Sequence, residues 1–326
     1  MKIKFVVSVL LVAAGFFPTI NALAAETYPS RPIRVLVPNG AGSSVDTLTR
    51  IVTNSLSGVI GQQLVIDNRA GAGGIIGMEI AKAANPDGYT LVAATTAAST
   101  IARLLVKNPT YHPVNDYESV VQFAETLNVL VVTNSLPVKT VPEFIAYAKS
   151  GKKPFNMASA GVGSQSHLSG AYFLQQAKIQ ALHVPYKGGG ASSASVVAGE
   201  SQWSLIPSAA AMTHVAAGRM RAIGHSLNRE TSLLPHSVRP ISETIPGFNY
   251  TGWMGFFAPK GTPKSVIEKI RAAVAKTMEI PDVKKAMAFQ GTEITIKGPT
   301  DFRKEVEKSM VENAALIKTV GLKATN

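Results

Sequence analysis

The sequence predicts an α/β protein built from two units, on three observations. Short apolar runs alternate with segments whose apolar residues recur every three or four positions, the order expected of a sheet covered by helices on both faces. That alternation starts again near residue 128, so the 326 residues divide into two units. Hydrophobic residues make up 46% of the chain and charged residues only 16%, which supplies apolar material for two cores and too little charge for disorder.

Taken in order, Lys2 and Lys4 precede a mostly apolar run from Phe5 to Phe17, and Ala22-Leu23-Ala24 has the small-x-small form of a cleavage site. Residues 1–24 therefore read as a secretory signal peptide cut after Ala24. Pro18, Thr19 and Asn21 stop the run short of the ~20 apolar residues of a membrane span. Ile33 to Val37, closed by Pro38, is a strand, and Val45, Leu48, Val52, Leu56 and Val59 mark a helix. A strand at Leu64 to Ile66, a glycine-rich loop, a helix through Ile76 and Ile80, and a strand from Tyr89 to Ala93 follow. This order predicts a largely parallel sheet.

The second unit opens with a strand from Asn128 to Val132, and Thr140-Val141-Pro142-Glu143 is a capping box at a helix start. Strands at Phe155 to Ala158, Ala181 to Val184, Trp203 to Ile206 and Ala222 to Ser226 alternate with helices starting near Ser164, Ser192 and Ser208. Past Pro235, Pro240 and Pro246, an apolar run from Trp253 leads to Ala258-Pro259. Thr262-Pro263 then opens a long helix with Val266, Ile270, Val274 and Met278 on one face, and a last helix opens at Thr300-Asp301.

Several function classes drop out. The chain has no cysteine, which excludes disulfides, thiolate metal sites and a thiol nucleophile. Its six histidines are scattered without H-E-x-x-H. Gly71-Ala72-Gly73-Gly74-Ile75-Ile76-Gly77 fails the dinucleotide fingerprint at Ile76, and no phosphate loop or G-x-S-x-G elbow occurs. The net charge of +12 is spread thinly, with Lys152-Lys153 and Lys284-Lys285 as isolated pairs, so nucleic acid is not an expected partner. No cofactor is expected.

The informative segments are loops between strands and helices, where open sheets bind ligands. Pro38-Asn39-Gly40-Ala41-Gly42-Ser43-Ser44, Asn68-Arg69-Ala70-Gly71-Ala72-Gly73-Gly74, Thr95-Thr96-Ala97-Ala98-Ser99, Ser159-Ala160-Gly161-Val162-Gly163-Ser164 and Tyr186-Lys187-Gly188-Gly189-Gly190 each join glycine and hydroxyls to a helix start. Such loops can hold an anion on backbone N–H groups without lysine or arginine. The ligand-binding candidates are Asn39, Gly42, Ser43, Ser44, Asp46, Thr95, Thr96, Ser159, Gly163, Ser164, His167, Tyr186 and Ser208. Asp46 also suits a first-turn capping role. A hydrolase using Ser164, with His167 and Asp46, is the enzymatic alternative.

Together with Tyr28-Pro29-Ser30-Arg31-Pro32-Ile33, Asn85-Pro86-Asp87-Gly88-Tyr89-Thr90, His183-Val184-Pro185-Tyr186-Lys187-Gly188 and Ala258-Pro259-Lys260-Gly261-Thr262-Pro263, these loops make the chain resemble the Bug family, the periplasmic solute receptors of tripartite tricarboxylate transporters. The resemblance implies a two-domain periplasmic binding protein type II fold with a ligand cleft between the domains. It implies no catalysis, a small organic carboxylate as ligand, membrane permease subunits as partners, a periplasmic location and a monomer. Domain 1 would combine residues 25–125 and 251–326, and domain 2 residues 126–250. A receptor presenting its ligand to a sensory membrane protein is a further alternative. The first loop keeps Pro38, Gly42 and Asp46 of the family pattern P-F-x-P-G-G-x-x-D but has Asn39, Gly40, Ala41 and Ser43 elsewhere in it. No acid stands near Ile206-Pro207-Ser208, where the family commonly carries aspartate. That absence favours a plain or aromatic carboxylate over an amino acid.

Overall fold

The computed structural model describes residues 28–151 and 155–324, so the expected signal peptide lies outside the described residues. One strand organises the fold. β4 (Tyr117–Val132) is 16 residues long, and different partners take its two ends. Its first part pairs antiparallel with β9 (Thr251–Pro259), from Tyr117 opposite Pro259 to Leu127 opposite Thr251. Its last five residues, Asn128 to Val132, pair antiparallel with β7 (Trp203–Pro207). β8 (Arg221–His225) lies along the other edge of this end, and β10 (Thr292–Lys297) along Gln122 to Thr126.

Around this strand the sheet runs β2-β1-β3-β9-β4-β7-β5-β6. β1 (Ile33–Val37) lies between β2 (Leu64–Asn68) and β3 (Thr90–Thr95), all parallel, and β3 pairs antiparallel with β9. On the far side β5 (Asn156–Ser159) is parallel to β6 (Leu182–Pro185) and to β7. The sheet is therefore mixed rather than largely parallel. Parallel βαβ units form its two wings, and every pairing of β4 and β9 at its centre is antiparallel.

Helices cover both faces, each held by its apolar stripe. α1 (Ser44–Ile60) buries Val45, Leu48, Val52 and Leu56 at spacings of three and four, begins at the Ser43 cap and ends at Gly61, whose φ of 81° needs no Cβ. α8 (Lys264–Met278) adds Ile267, Ile270, Val274 and Met278 to the same cluster. Thr262 does not cap α8; its hydroxyl donates to the Pro259 carbonyl at 2.8 Å. The opposite face of this half is closed by α2 (Ile75–Lys82) and α10 (Pro299–Thr319), with Phe302 and Val306 packed on Trp253 and Phe257.

The second half has α4 (Val141–Lys149) and α5 (Gln165–Ala177) on one face, where Phe144, Phe155, Phe173 and Trp203 pack with ring centroids 5.2–5.9 Å apart. α6 (Gly189–Ala198) and α7 (Ser208–Ala216) cover the other face, and α6 starts three residues ahead of the expected Ser192. α9 (Pro281–Phe289) and β10 were not anticipated; Pro281 at the first helical position and the buried pair Val283 and Met287 form α9. The expected loop after β3 is a π-helical turn, Ala97–Ile101, continued by α3 (Ala102–Leu104). The halves touch beyond their shared strand. Ile101, Leu105 and Ile317 join the apolar cluster of the second half, and Ala209 of α7 joins that of the first.

Candidate functional site between the two halves

Asn39, Gly42, Ser43, Ser44 and Asp46 lie at the start of α1, and Thr95 and Thr96 close β3. Ser159, Gly163, Ser164 and His167 surround the start of α5, Tyr186 follows β6, and Ser208 opens α7. Contacts across the halves bring several of these loops together. Ser208 Oγ donates to the Gly291 carbonyl at 2.8 Å, and a Cβ placed on Gly163 would lie 2.9 Å from the Leu105 side chain.

At the α1 start, Asp46 is almost fully buried and satisfied. Its carboxylate accepts from the Gly42 N–H at 2.9 Å, from Arg50 Nε at 3.0 and 3.1 Å, and from Asn68 Nδ2 at 3.0 Å. Burial pushes the group up, but the hydrogen bonds from Arg50, Gly42 and Asn68 outweigh it and hold the carboxyl below the usual range. Asn68 Nδ2 also donates to the Asn39 carbonyl at 3.0 Å, so one carboxylate shapes the whole loop. The Asn39 Oδ1 is buried without a partner among the described residues. Ser43 Oγ caps the helix by accepting from the Asp46 N–H at 3.3 Å.

The two threonines have different tasks. Thr96 Oγ1 accepts from the Trp253 N–H at 2.9 Å and so ties the end of β3 to β9. Thr95 is buried opposite Met254 in the β3–β9 register.

The α5 start is a polar cluster. Ser164 Oγ caps the helix, accepts from the His167 N–H at 3.2 Å and donates to the Gly161 carbonyl at 2.7 Å. Because that proton goes to a carbonyl and not to an imidazole, the hydroxyl has no base in the described geometry. His167 Nδ1 accepts from the Gly163 N–H at 3.2 Å, and Ser159 Oγ lies 2.7 Å from His183 Nε2. Burial, then the proximity of His183, pushes His167 down to about 4, and burial lowers His183. Tyr186 turns its hydroxyl to Ser201 Oγ at 3.2 Å.

The predicted side chains are thus largely engaged within the protein. Neither α6 nor α7 has a side-chain cap at its N-terminus. Among the described residues no cluster of three or more histidine, aspartate or glutamate side chains could hold a metal ion. A cavity of about 580 Å³ between α1 and α9 shares only Asp46 with the predicted set, and one of about 450 Å³ behind the crossing strands shares only Thr96.

Sequence reasoning missed two groups. Ser166 Oγ accepts from the Ala160 N–H at 2.9 Å, which the polar run Ser164-Gln165-Ser166-His167 could have signalled. Where the strands cross, Asn128 Nδ2 donates to Ser169 Oγ at 2.8 Å and Asn128 Oδ1 accepts from Gln165 Nε2 at 3.1 Å. An asparagine at the head of the apolar run to Val132 was the available clue.

Two α/β halves joined through crossing strands, with glycine-rich helix starts lying at their contact, have the architecture of a two-domain solute-binding protein. Residues 48–322 match the TctC family, described as tripartite tricarboxylate transporter family receptor, and the chain belongs to that family. It is 35% identical over 295 residues to a UPF0065 protein from the tcbD-tcbE intergenic region of Pseudomonas sp. strain P51, covering 90% of this chain and 87% of the relative. The protein BugT of Bordetella pertussis is 27% identical over 323 residues, 99% and 98% of the two chains, in line with the Bug-type motifs.

Among solved structures, an R. palustris protein with adipate superposes with a TM-score of 0.88 at 27% identity, covering 91% of this chain and all of that one. MatC from Rhodopseudomonas palustris with bound malate has a TM-score of 0.83 at 27% identity, covering 89% and 100%. The family and these structural neighbours are solute-binding proteins. No helix among the described residues is long and apolar enough to cross a membrane.

Proposed function

We propose that this chain is a periplasmic receptor, without catalytic activity, that takes up one small organic carboxylate between its halves and delivers it to the permease subunits of a tripartite transporter as a monomer. The observation that carries the reading is the contact of the α1 and α5 loops with the opposite half, through Ala209 in the cluster of Val45 and Leu48 and through Gly163 against Leu105. Loops so arranged enclose a ligand when the halves close, and helix starts favour an anion there. The adipate and malate bound by two structural neighbours support a carboxylate. The division into residues 25–125 with 251–326 and residues 126–250 fits a hinge where β4 changes partners at Leu127 and Asn128.

Calorimetric titration with adipate, malate and the uncharged diamide of adipic acid tests this. One carboxylate should bind at one per chain, unchanged by NMR after incubation, and the diamide should not bind. At 100 times Kd the carboxylate should stabilise the fold by about 2.7 kcal/mol. Equal affinity for the diamide, or conversion of the ligand, would overturn the reading.

A further inference from the structure

We infer that His183, on the edge strand β6, is a positioning residue of the ligand loop: stacked on His167 and bonded to Ser159, it keeps His167 as the acceptor that fixes the Gly163 N–H. The inference rests on the receptor reading given above. The two imidazoles are parallel to within 4° with centroids 4.0 Å apart. The sheet explains the pairing, because His183 stands opposite Met157 in the β5–β6 register and Ser159 follows two residues on, which puts all three on one face. Gly170 on α5 approaches Met157 so closely that a Cβ there would lie 2.4 Å from its sulfur, so α5 and His167 are packed onto that face.

The loop depends on this acceptor. Gly161 and Gly163 have φ of 117° and 77°, conformations that their own backbone does not enforce, since glycine visits many others. Ala160 and Gly161 are held by Ser166, by the Ser159 and Ser164 hydroxyls and by the Gly188 and Ser164 N–H groups, whereas His167 Nδ1 is the acceptor on the Gly163 N–H. With Nδ1 accepting, the neutral ring carries its proton on Nε2. Protonation would turn Nδ1 into a donor facing the Gly163 donor and release the loop.

The surroundings oppose that protonation. No charged residue lies in β5, β6, β7, α6 or residues 160–174. Of the described charged residues flanking α5, β6 and α6, Lys178 and Lys187 are positive and Glu200 after α6 is a carboxylate, and all three are exposed, so no carboxylate on these elements favours an imidazolium. Across the cleft, Leu105 meets Gly163, and Arg103 of α3 points its Nε to the Tyr111 carbonyl. His183 thus works by covering one face of His167 with a neutral ring and by anchoring itself on Ser159.

Imidazole ¹⁵N NMR on the full ligand-free chain tests the positioning without any assumption about the ligand. Wild-type His167 should hold its proton on Nε2 and titrate near 4, and the protection factor of the Gly163 amide, its exchange rate referred to the intrinsic rate at each pH, should fall at least tenfold as it does so. His183→Ala should move the His167 midpoint towards 6.5 and speed Gly163 exchange at least tenfold at pH 7, while His183→Phe, which keeps a ring on the stack, should preserve both. If His183→Ala does not fold, His183→Gln serves as the variant without a ring. A His167 midpoint and Gly163 protection unchanged in the variant without a ring would overturn the inference. In a parallel arm, malate should bind His183→Ala at least tenfold more weakly than wild type, with His183→Phe close to wild type. Malate that binds wild type and His183→Ala equally also overturns it. Failure of malate to bind wild type, with the NMR results as expected, places the error in the ligand reading instead.

Discussion

Replacing Asp46 with asparagine isolates what a buried charge contributes to the first ligand loop. The carboxylate is 5% exposed and collects the Gly42 N–H, Arg50 and Asn68. An asparagine keeps the shape, but its NH2 must face either Gly42 or Asn68, putting donor against donor. A buried donor left without its charged acceptor costs about 1–3 kcal/mol. Arg50 is about half exposed, so its lost ion pair adds at most about 1 kcal/mol. The sum, about 1–4 kcal/mol, corresponds to a fall in Tm of roughly 2–6 °C for a chain of this size. Because the folded carboxyl is held below its unfolded value, its contribution is present above the unfolded pKa and fades as pH falls through the folded one. The gap between Asp46→Asn and wild type should therefore narrow in acid. Differential scanning calorimetry at neutral and acidic pH measures both quantities. A variant melting within 1 °C of wild type at pH 7 would refute the argument that this charge holds the loop.

Further outcomes follow from the same geometry. Gly291→Ala puts a Cβ 2.9 Å from that of Ser208 at a φ of 60°, so it should destabilise the contact between the halves by about 1–2 kcal/mol; urea denaturation would show it, and an unchanged midpoint would contradict it. Phe144→Ala empties the centre of a four-ring cluster and should cost about 3–5 kcal/mol; a loss under 1 kcal/mol would mean that the cluster collapses to fill the space. His167 and His225 both have folded values of about 4, below the unfolded 6.5, so the unfolded chain takes up protons first and stability falls as pH drops from 6.5 towards 4. At pH 5 the loss should reach up to about 2 kcal/mol per histidine, and equal unfolding free energies at pH 7 and 5 would contradict the burial of neutral rings.

The wings of the sheet were legible in the sequence because their signals are local. Pro38 closes β1, Ser43 and Ser164 cap their helices, and the α1 stripe has the spacing of a half-buried helix. The centre was not, because its logic is long-range. Ser119, Gln122, Glu125 and Thr126 interrupt the apolar pattern of β4, and their places are set by β9 and β10, more than a hundred residues later. The antiparallel insertion of β9 between β3 and β4 leaves no mark in a single stretch of sequence. For the site, residue types indicated the right loops, but not which atoms are already engaged. Ser208 looks free until Gly291 arrives opposite it, and His183 looks isolated until β6 sets it over His167.

The route of the chain through β4 and β9 also constrains the order in which this protein can fold. β3 ends at Thr95, yet its inner neighbour β9 begins at Thr251, and the last strand of that half begins at Thr292. The second half, by contrast, is complete once residue 250 is available, because Ile241, Ile245, Phe248 and Tyr250 belong to its apolar cluster, apart from the end of α10 that later packs against it. The middle of the chain can therefore assemble before its beginning, and the early βαβ segment must wait with an exposed strand edge for almost the entire polypeptide. Such distant pairings fold slowly and leave that edge open to aggregation. Fragments ending before residue 251 should consequently retain a folded middle segment and a sticky, incomplete amino-terminal one.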